Sequence, residues 1–214
     1  MKSLLLEWFP LNPWIVWPLA AFMVAFALQL WFYGGPYSAI NKVARRRKKG
    51  LLPQTNERPP VSVIVCAHDQ ADDLLKHLPV LLNQDYPDYQ VVVVNAASTD
   101  HTSDVLQSLE ANPRLYHTFM PVGVKAVSPR KMAMTIGIKA AQHDYVLFTD
   151  PAALPSGPNW LTAMMQQFTD GGAVVLGYAP FSQQSGIASR LVAYDNVCSA
   201  AQFMGLALMG HPYR

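Results

Sequence analysis

The spacing of apolar residues changes character along the chain. From Trp14 to Tyr33 twenty consecutive positions are apolar or aromatic, with only Pro18 and Gln29 outside that set. A helix of that length rises about 30 Å, the thickness of a bilayer core, so the run predicts a transmembrane helix. Trp8, Trp14 and Trp17 towards one end and Trp31, Tyr33 and Tyr37 at the other resemble two aromatic belts. Pro18 falls near the first turn, where a missing N–H costs least. A cleaved signal peptide fits poorly, because the run is long and positive charge follows it instead of preceding it.

From Val61 the pattern becomes short apolar runs alternating with helical spacing. Val61–Cys66 and Gln90–Val94 are β-branched runs that read as buried strands. Between them, Asp72 to Asn83 places Leu74, Leu75, Leu78, Leu81 and Leu82 at helical intervals. Asp104 to Leu109 predicts a short helix capped by Asp100, Thr102 or Ser103, and Leu115–Met120 a third strand. Pro129 to Gln142 is the best helix of this region, with Met132, Ile136 and Ala140 along one stripe. Tyr145–Thr149 is the next buried strand, followed by a helix from about Asn159 to Phe168 and a further buried strand at Ala173–Tyr178. Near-continuous apolar strands alternating with helices predict a mostly parallel α/β sheet, Rossmann-like, with helices on both faces and right-handed crossovers. Gly186 to Met209 is apolar but carries Arg190, Asp195 and Asn196. It predicts an amphipathic helix lying on the domain or the membrane surface.

Three regions follow from this pattern: residues 1–40 with the transmembrane helix, a basic juxtamembrane linker at 41–60, and a domain at 61–214. Apolar residues make up 51% and charged residues only 14%, lean for a wholly soluble protein. Taking the five charges of Arg45, Arg46, Arg47, Lys48 and Lys49 from the net +2 leaves −3 for the rest. That concentration argues against a nucleic-acid footprint, which spreads basic residues over a folded face. It also fixes orientation: positive flanks stay cytoplasmic, so the chain is expected to be a single-pass protein of the inner or plasma membrane with its domain inside. Cys66 and Cys198 lack metal-ligand spacing, and Cys66 is expected to be a buried thiol.

Asp150 ends an apolar strand and a Pro-bounded turn follows it. Open α/β sheets bind ligands outside the carboxyl ends of their strands. A carboxylate there can hold a ribose hydroxyl or a metal ion carrying a diphosphate. Asp also caps turns, so this stretch alone leaves both roles open.

The ordered motifs resemble the inverting family 2 glycosyltransferases of the GT-A fold. Pro60-Val-Ser-Val-Ile-Val-Cys-Ala-His-Asp69 resembles the family's first strand and polar turn. Gln84-Asp-Tyr-Pro87 and Val94-Asn-Ala-Ala-Ser-Thr-Asp100 match its Gln-x-Tyr-Pro turn and its Asp-Asp-Gly-Ser-Thr-Asp segment. Arg130-Lys-Met-Ala-Met-Thr-Ile-Gly-Ile-Lys139 matches its Lys-rich helix, and Thr149-Asp-Pro-Ala-Ala-Leu-Pro155 with Trp160-Leu161 its Asp-x-Asp strand end. The resemblance implies a nucleotide-sugar donor, UDP- or GDP-linked, and a lipid-linked or saccharide acceptor near the membrane. It places His68, Asp69, Asn95 and Asp100 at the base and ribose, Lys131 (with Arg130) near the diphosphate, and Asp150 on the ribose and a Mg or Mn ion. Asn95 and Asp100 equally suit a turn and a helix cap, and His68 a solvated loop, so those readings stand beside the ligand roles.

Two departures qualify the resemblance. Ala96 replaces the second Asp of the Asp-Asp pair, and Ala152 replaces the second Asp of Asp-x-Asp, which in the family is the direct metal ligand. The resemblance also implies a general base downstream of that strand. The chain stops at His211-Pro-Tyr-Arg214, on the border of the family's Gly-x-Gly-Arg-Asn segment, which predicts a truncated domain with little transfer activity by itself. No catalytic residue is assigned; Asp195, the one late carboxylate, is expected to cap or to pair with Arg190. A membrane-tethered nucleotide-binding or scaffold module is the alternative function. A Rossmann-type oxidoreductase is disfavoured, because no Gly-x-Gly-x-x-Gly follows the first strand.

Overall fold

The computed structural model describes residues 13–51, 55–121, 128–168, 174–180 and 185–211. Trp8, Ala173 and the terminal Pro-Tyr-Arg stretch lie outside them. The chain divides into two compact units, Met1–Leu52 with Tyr178–Arg214, and Pro53–Gly177.

In the first unit, helix α1 (Pro13–Phe32) runs through a π-helical turn at Tyr33–Tyr37 into α2 (Ser38–Lys48). Trp14, Trp17, Phe22, Leu30 and Trp31 are all exposed, so among the described residues most of the apolar surface of α1 is left uncovered. Trp14–Lys48 is the one stretch among the described residues long and apolar enough to cross a membrane. Pro18 sits one turn further in than expected, and the helix continues past it. Arg45, Arg46, Arg47 and Lys48 form the last turn of α2, so most of the basic run is helical. Cations there complement the helix dipole.

The last helix of this unit, α7 (Ile187–Leu208), corrects the expectation of an amphipathic helix. Ile187, Leu191, Val192, Tyr194 and Val197 are exposed around its circumference, and its polar residues do not gather on one face. Gly205 is its buried residue, because a Cβ there would sit 2.5 Å from the Pro36 carbonyl oxygen of the π-helical turn. Asp195 and Arg190 do not pair. Five residues of helix turn them roughly 140° apart, whereas partners sit three or four apart.

The second unit is the α/β layer. Strands β1 (Val61–Ala67), β2 (Tyr89–Asn95), β3 (Leu115–Phe119) and β4 (Tyr145–Thr149) form one sheet in the order β3-β2-β1-β4, and every pairing is parallel. Helices α3 (Ala71–Leu82), α4 (Thr102–Ser108) and α6 (Trp160–Met165) cover one face. There Leu74, Leu78, Leu106, Leu161 and Met165 pack on Val63, Val65, Val91 and Val93. Helix α5 (Pro129–Ala140) covers the other, over Ile64, Val92 and Val94. The period-two alternation of β1 and β2 feeds both cores at once, which is why these strands read as unbroken apolar runs.

α5 approaches unusually closely. The residues it buries are Ala133 and Gly137, with the expected stripe of Met132, Ile136 and Ala140 only half-buried. A Cβ on Gly137 would lie 2.5 Å from Ile64 Cγ2.

Two strand expectations are corrected. β4 is an edge strand in which Leu147 is buried while Tyr145 and Phe148 are exposed. It pairs with β1 on one side, and no described strand lies on the other. Residues 174–180 form no strand, and Val174 and Leu176 are exposed. Apolar content alone cannot form a strand without a neighbour to accept its backbone hydrogen bonds.

Candidate functional site

The chain order fixes where a ligand can enter. β1 lies between β2 and β4, with α3 leaving β1 on one face and α5 arriving at β4 on the other. That reversal makes the carboxyl ends of β1 and β4 a switch point of the sheet, the place where open α/β sheets bind their ligands. Register aligns the ends: Ala67 pairs with Asn95, and Val65 with Thr149. His68 and Asp69, Asn95 and Ala96, and Asp150 therefore leave the same edge of the sheet.

The β1–α3 and β2–α4 loops are tied together by carboxylates. Asp69 Oδ1 accepts the Thr99 N–H at 2.6 Å, the Thr99 hydroxyl at 3.2 Å and the Asp100 N–H at 3.3 Å. The Asp69 N–H donates to Ser98 Oγ at 3.1 Å. Asp100 uses both oxygens, taking the Thr102 N–H on Oδ1 and the Ala71 N–H on Oδ2, each at 3.0 Å. The Thr99 N–H above all holds the Asp69 carboxyl below its ordinary value. The Thr102 side chain, with the backbone N–H groups, does the same for Asp100. Both carboxylates are thus ionised parts of the loop framework.

Asn95 is buried and engaged at both ends of its amide, donating Nδ2–H to Ser103 Oγ at 3.0 Å and accepting the Ser98 N–H on Oδ1 at 2.9 Å. His68 Nδ1 lies 2.8 Å from the Ala96 carbonyl oxygen, so Nδ1 carries the proton. Its Nε2 stands 3.6 Å from Asp69 Oδ2 on the exposed side.

At the end of β4, Asp150 Oδ1 accepts the Ala152 N–H at 3.0 Å, and Oδ2 lies 3.9 Å from Arg130 Nη2. The following turn is pinned from α3, where His77 Nδ1–H donates to the Pro151 carbonyl at 2.9 Å. Lys131 is exposed on the first turn of α5, with no described carboxylate at ion-pair distance. Cys66, half-buried beneath this edge, has its thiol pushed up by burial, against a smaller opposing pull from Arg130. It is a free thiol, but half-buried where full burial is expected from the sequence.

The residues do not fit a divalent cation well. Mg or Mn takes about six oxygens in a tight shell. Among the described residues no group of three His, Cys, Asp or Glu side chains converges. At β4, Asp150 offers one oxygen free of the turn, and Ala152 and Ala153 offer no side-chain oxygen.

Two features escaped the sequence reading. Ala97 has φ 57°, a left-handed backbone that favours glycine; the glycine at its place in the Asp-Asp-Gly-Ser motif was the available signal. Gln84 is buried and structural. It donates to the Val80 and Gly157 carbonyls at 2.8 and 3.1 Å and accepts the Leu161 N–H at 3.0 Å, locking α3 to α6.

Comparison with known proteins follows the same outline. The family model described as glycosyl transferase family 2 matches residues 62–193. A putative teichuronic acid biosynthesis glycosyltransferase of Bacillus subtilis is 31% identical over 96 residues, covering 45% of this chain and 37% of that protein. The poly-beta-1,6-N-acetyl-D-glucosamine synthase of Staphylococcus epidermidis is 23% identical over 90 residues, 42% of this chain and 21% of the synthase. The match therefore spans well under half the length of these relatives. A mannosyltransferase from Pyrobaculum calidifontis, solved with GDP-Man and Mn2+, is 25% identical over 69% of this chain and 44% of its own, with a TM-score of 0.49.

Proposed function

This chain belongs to glycosyl transferase family 2, and on that premise we propose that it binds a nucleotide-sugar donor and serves sugar transfer in glycan biosynthesis. The observation that carries the proposal is the family match together with a polar edge at the switch point, where His68, Asp69, Arg130 and Asp150 leave adjacent strands and the helix above them. The donor is a UDP- or GDP-sugar. His68 and Asp69 face its base, Asp150 its ribose, and Arg130 with Lys131 its diphosphate. Asn95 and Asp100 act one step back, holding the two loops in place. The acceptor is lipid-linked or a saccharide, in line with relatives named for teichuronic acid and N-acetylglucosamine polymer synthesis. α1 is proposed to span the plasma membrane, with the basic end of α2 and the α/β unit on the cytoplasmic side, where nucleotide sugars are made.

The test is saturation-transfer NMR on the purified protein with a panel of UDP- and GDP-sugars and NAD as control. Binding of one sugar nucleotide, competed by its free diphosphate and not by NAD, is expected. No binding by any sugar nucleotide at millimolar concentration would refute the reading. The engagement of Asn95 and Asp100 within the loops and the alanine at position 152 favour one second reading, a nucleotide-binding module without transfer of its own. Donor binding without labelled sugar reaching membrane lipids would select it.

A further inference from the structure

We infer that nucleoside diphosphate binding at the carboxyl ends of β1 and β4 needs no divalent cation, because Asp150 has no carboxylate partner at position 152 and stands instead beside the Arg130 guanidinium. The inference rests on the nucleotide-sugar reading above and adds how the diphosphate charge is met. Asp150 Oδ1 is committed to the Ala152 N–H, and Pro151, Ala152 and Ala153 bring no side-chain oxygen. The one open oxygen, Oδ2, already faces Arg130 Nη2 at 3.9 Å. At that separation the pair is electrostatic and not a hydrogen bond, so the guanidinium keeps its N–H donors for an incoming anion.

The charges balance in the same way. A divalent ion between two carboxylates sums to zero, and so does one guanidinium beside one carboxylate. With position 152 an alanine, a dication beside Asp150 would have one open carboxylate oxygen to hold it and would face the like charge of Arg130. The two side chains are 79% and 51% exposed, so both can be reached by a ligand at this edge. A guanidinium also meets phosphate oxygens through two parallel N–H bonds, which a lysine cannot do.

Calorimetric titration of the full chain with UDP and with GDP, in EDTA and again in excess Mn2+, tests the inference. The dissociation constant is expected to agree within about twofold between the two buffers. Arg130→Ala should weaken binding about tenfold or more in both, as expected for loss of a charged hydrogen-bond pair. Arg130→Lys should recover part of that loss. Binding that tightens tenfold or more with Mn2+ would overturn the inference and leave the nucleotide-sugar reading standing. Metal-independent binding unchanged in Arg130→Ala would overturn the role of Arg130. No binding in either buffer would overturn the nucleotide reading itself. Arg130 is exposed, so circular dichroism should show each variant folded like the parent.

Discussion

A left-handed backbone costs a residue with a Cβ about 1–2 kcal/mol, and the loops after β1 and β2 each contain one, at Asp69 and at Ala97. Asp tolerates that conformation better than most residues, and Asp69 is held in it by bonds from Thr99 and Asp100 of the neighbouring loop. Ala97 has no such compensation. Ala97→Gly should therefore raise stability by about 1 kcal/mol in urea titration; an unchanged or lower midpoint would count against the strain. The loop carboxylates make a second residue-scale prediction. Asp69 and Asp100 are held below their ordinary values when folded. Their stabilisation is complete above the unfolded value, about 3.9, and is lost as pH falls through the folded one. Melting temperature should drop as pH is lowered from 5 towards 3, and the drop should shrink in Asp100→Asn. Equal slopes in parent and variant would contradict the clasp. At this scale the sequence showed which residues are polar at strand ends, but not which were already satisfied. Asn95 and Asp100 look alike as ligands or caps until their partners at Ser103, Ala71 and Thr102 are in place.

Among the elements, α5 and α3 carry the tightest constraints. Gly137 lets α5 rest on Ile64, so Gly137→Ala should destabilise the α/β unit by about 1–3 kcal/mol through overpacking. A neutral result in chemical denaturation would show that the helix shifts freely. Gln84→Leu should cost about 1–3 kcal/mol, because the Leu161 N–H and Gly157 carbonyl lose their partner in a buried place. The strands β1 and β2 were legible from their β-branched runs because both faces are buried. β4 was legible as a strand but not as an edge, since edge position depends on which neighbours exist and not on its own residues. The same limit explains residues 174–180, apolar enough for a strand yet with no described strand to pair with. Gln84 stood out as a motif residue, but its partners lie 73 and 77 positions away, beyond any local pattern.

For the whole molecule, composition and charge indicated a membrane helix followed by a cytoplasmic domain, and the exposed apolar surface of α1 is consistent with a lipid surround. In sealed inverted membrane vesicles, added protease should digest the 61–177 region, whereas intact spheroplasts should protect it. Protection in inverted vesicles would reverse the proposed orientation. The central claim is that the edge where β1 and β4 end is a nucleotide site. Hydrogen–deuterium exchange of the purified protein with and without UDP or GDP tests it most directly. The account predicts slower exchange in peptides covering 67–71, 95–102 and 128–131 and 150–153, with little change in α7. Unaltered exchange in all of them at saturating nucleotide, or protection confined to another surface, would contradict it.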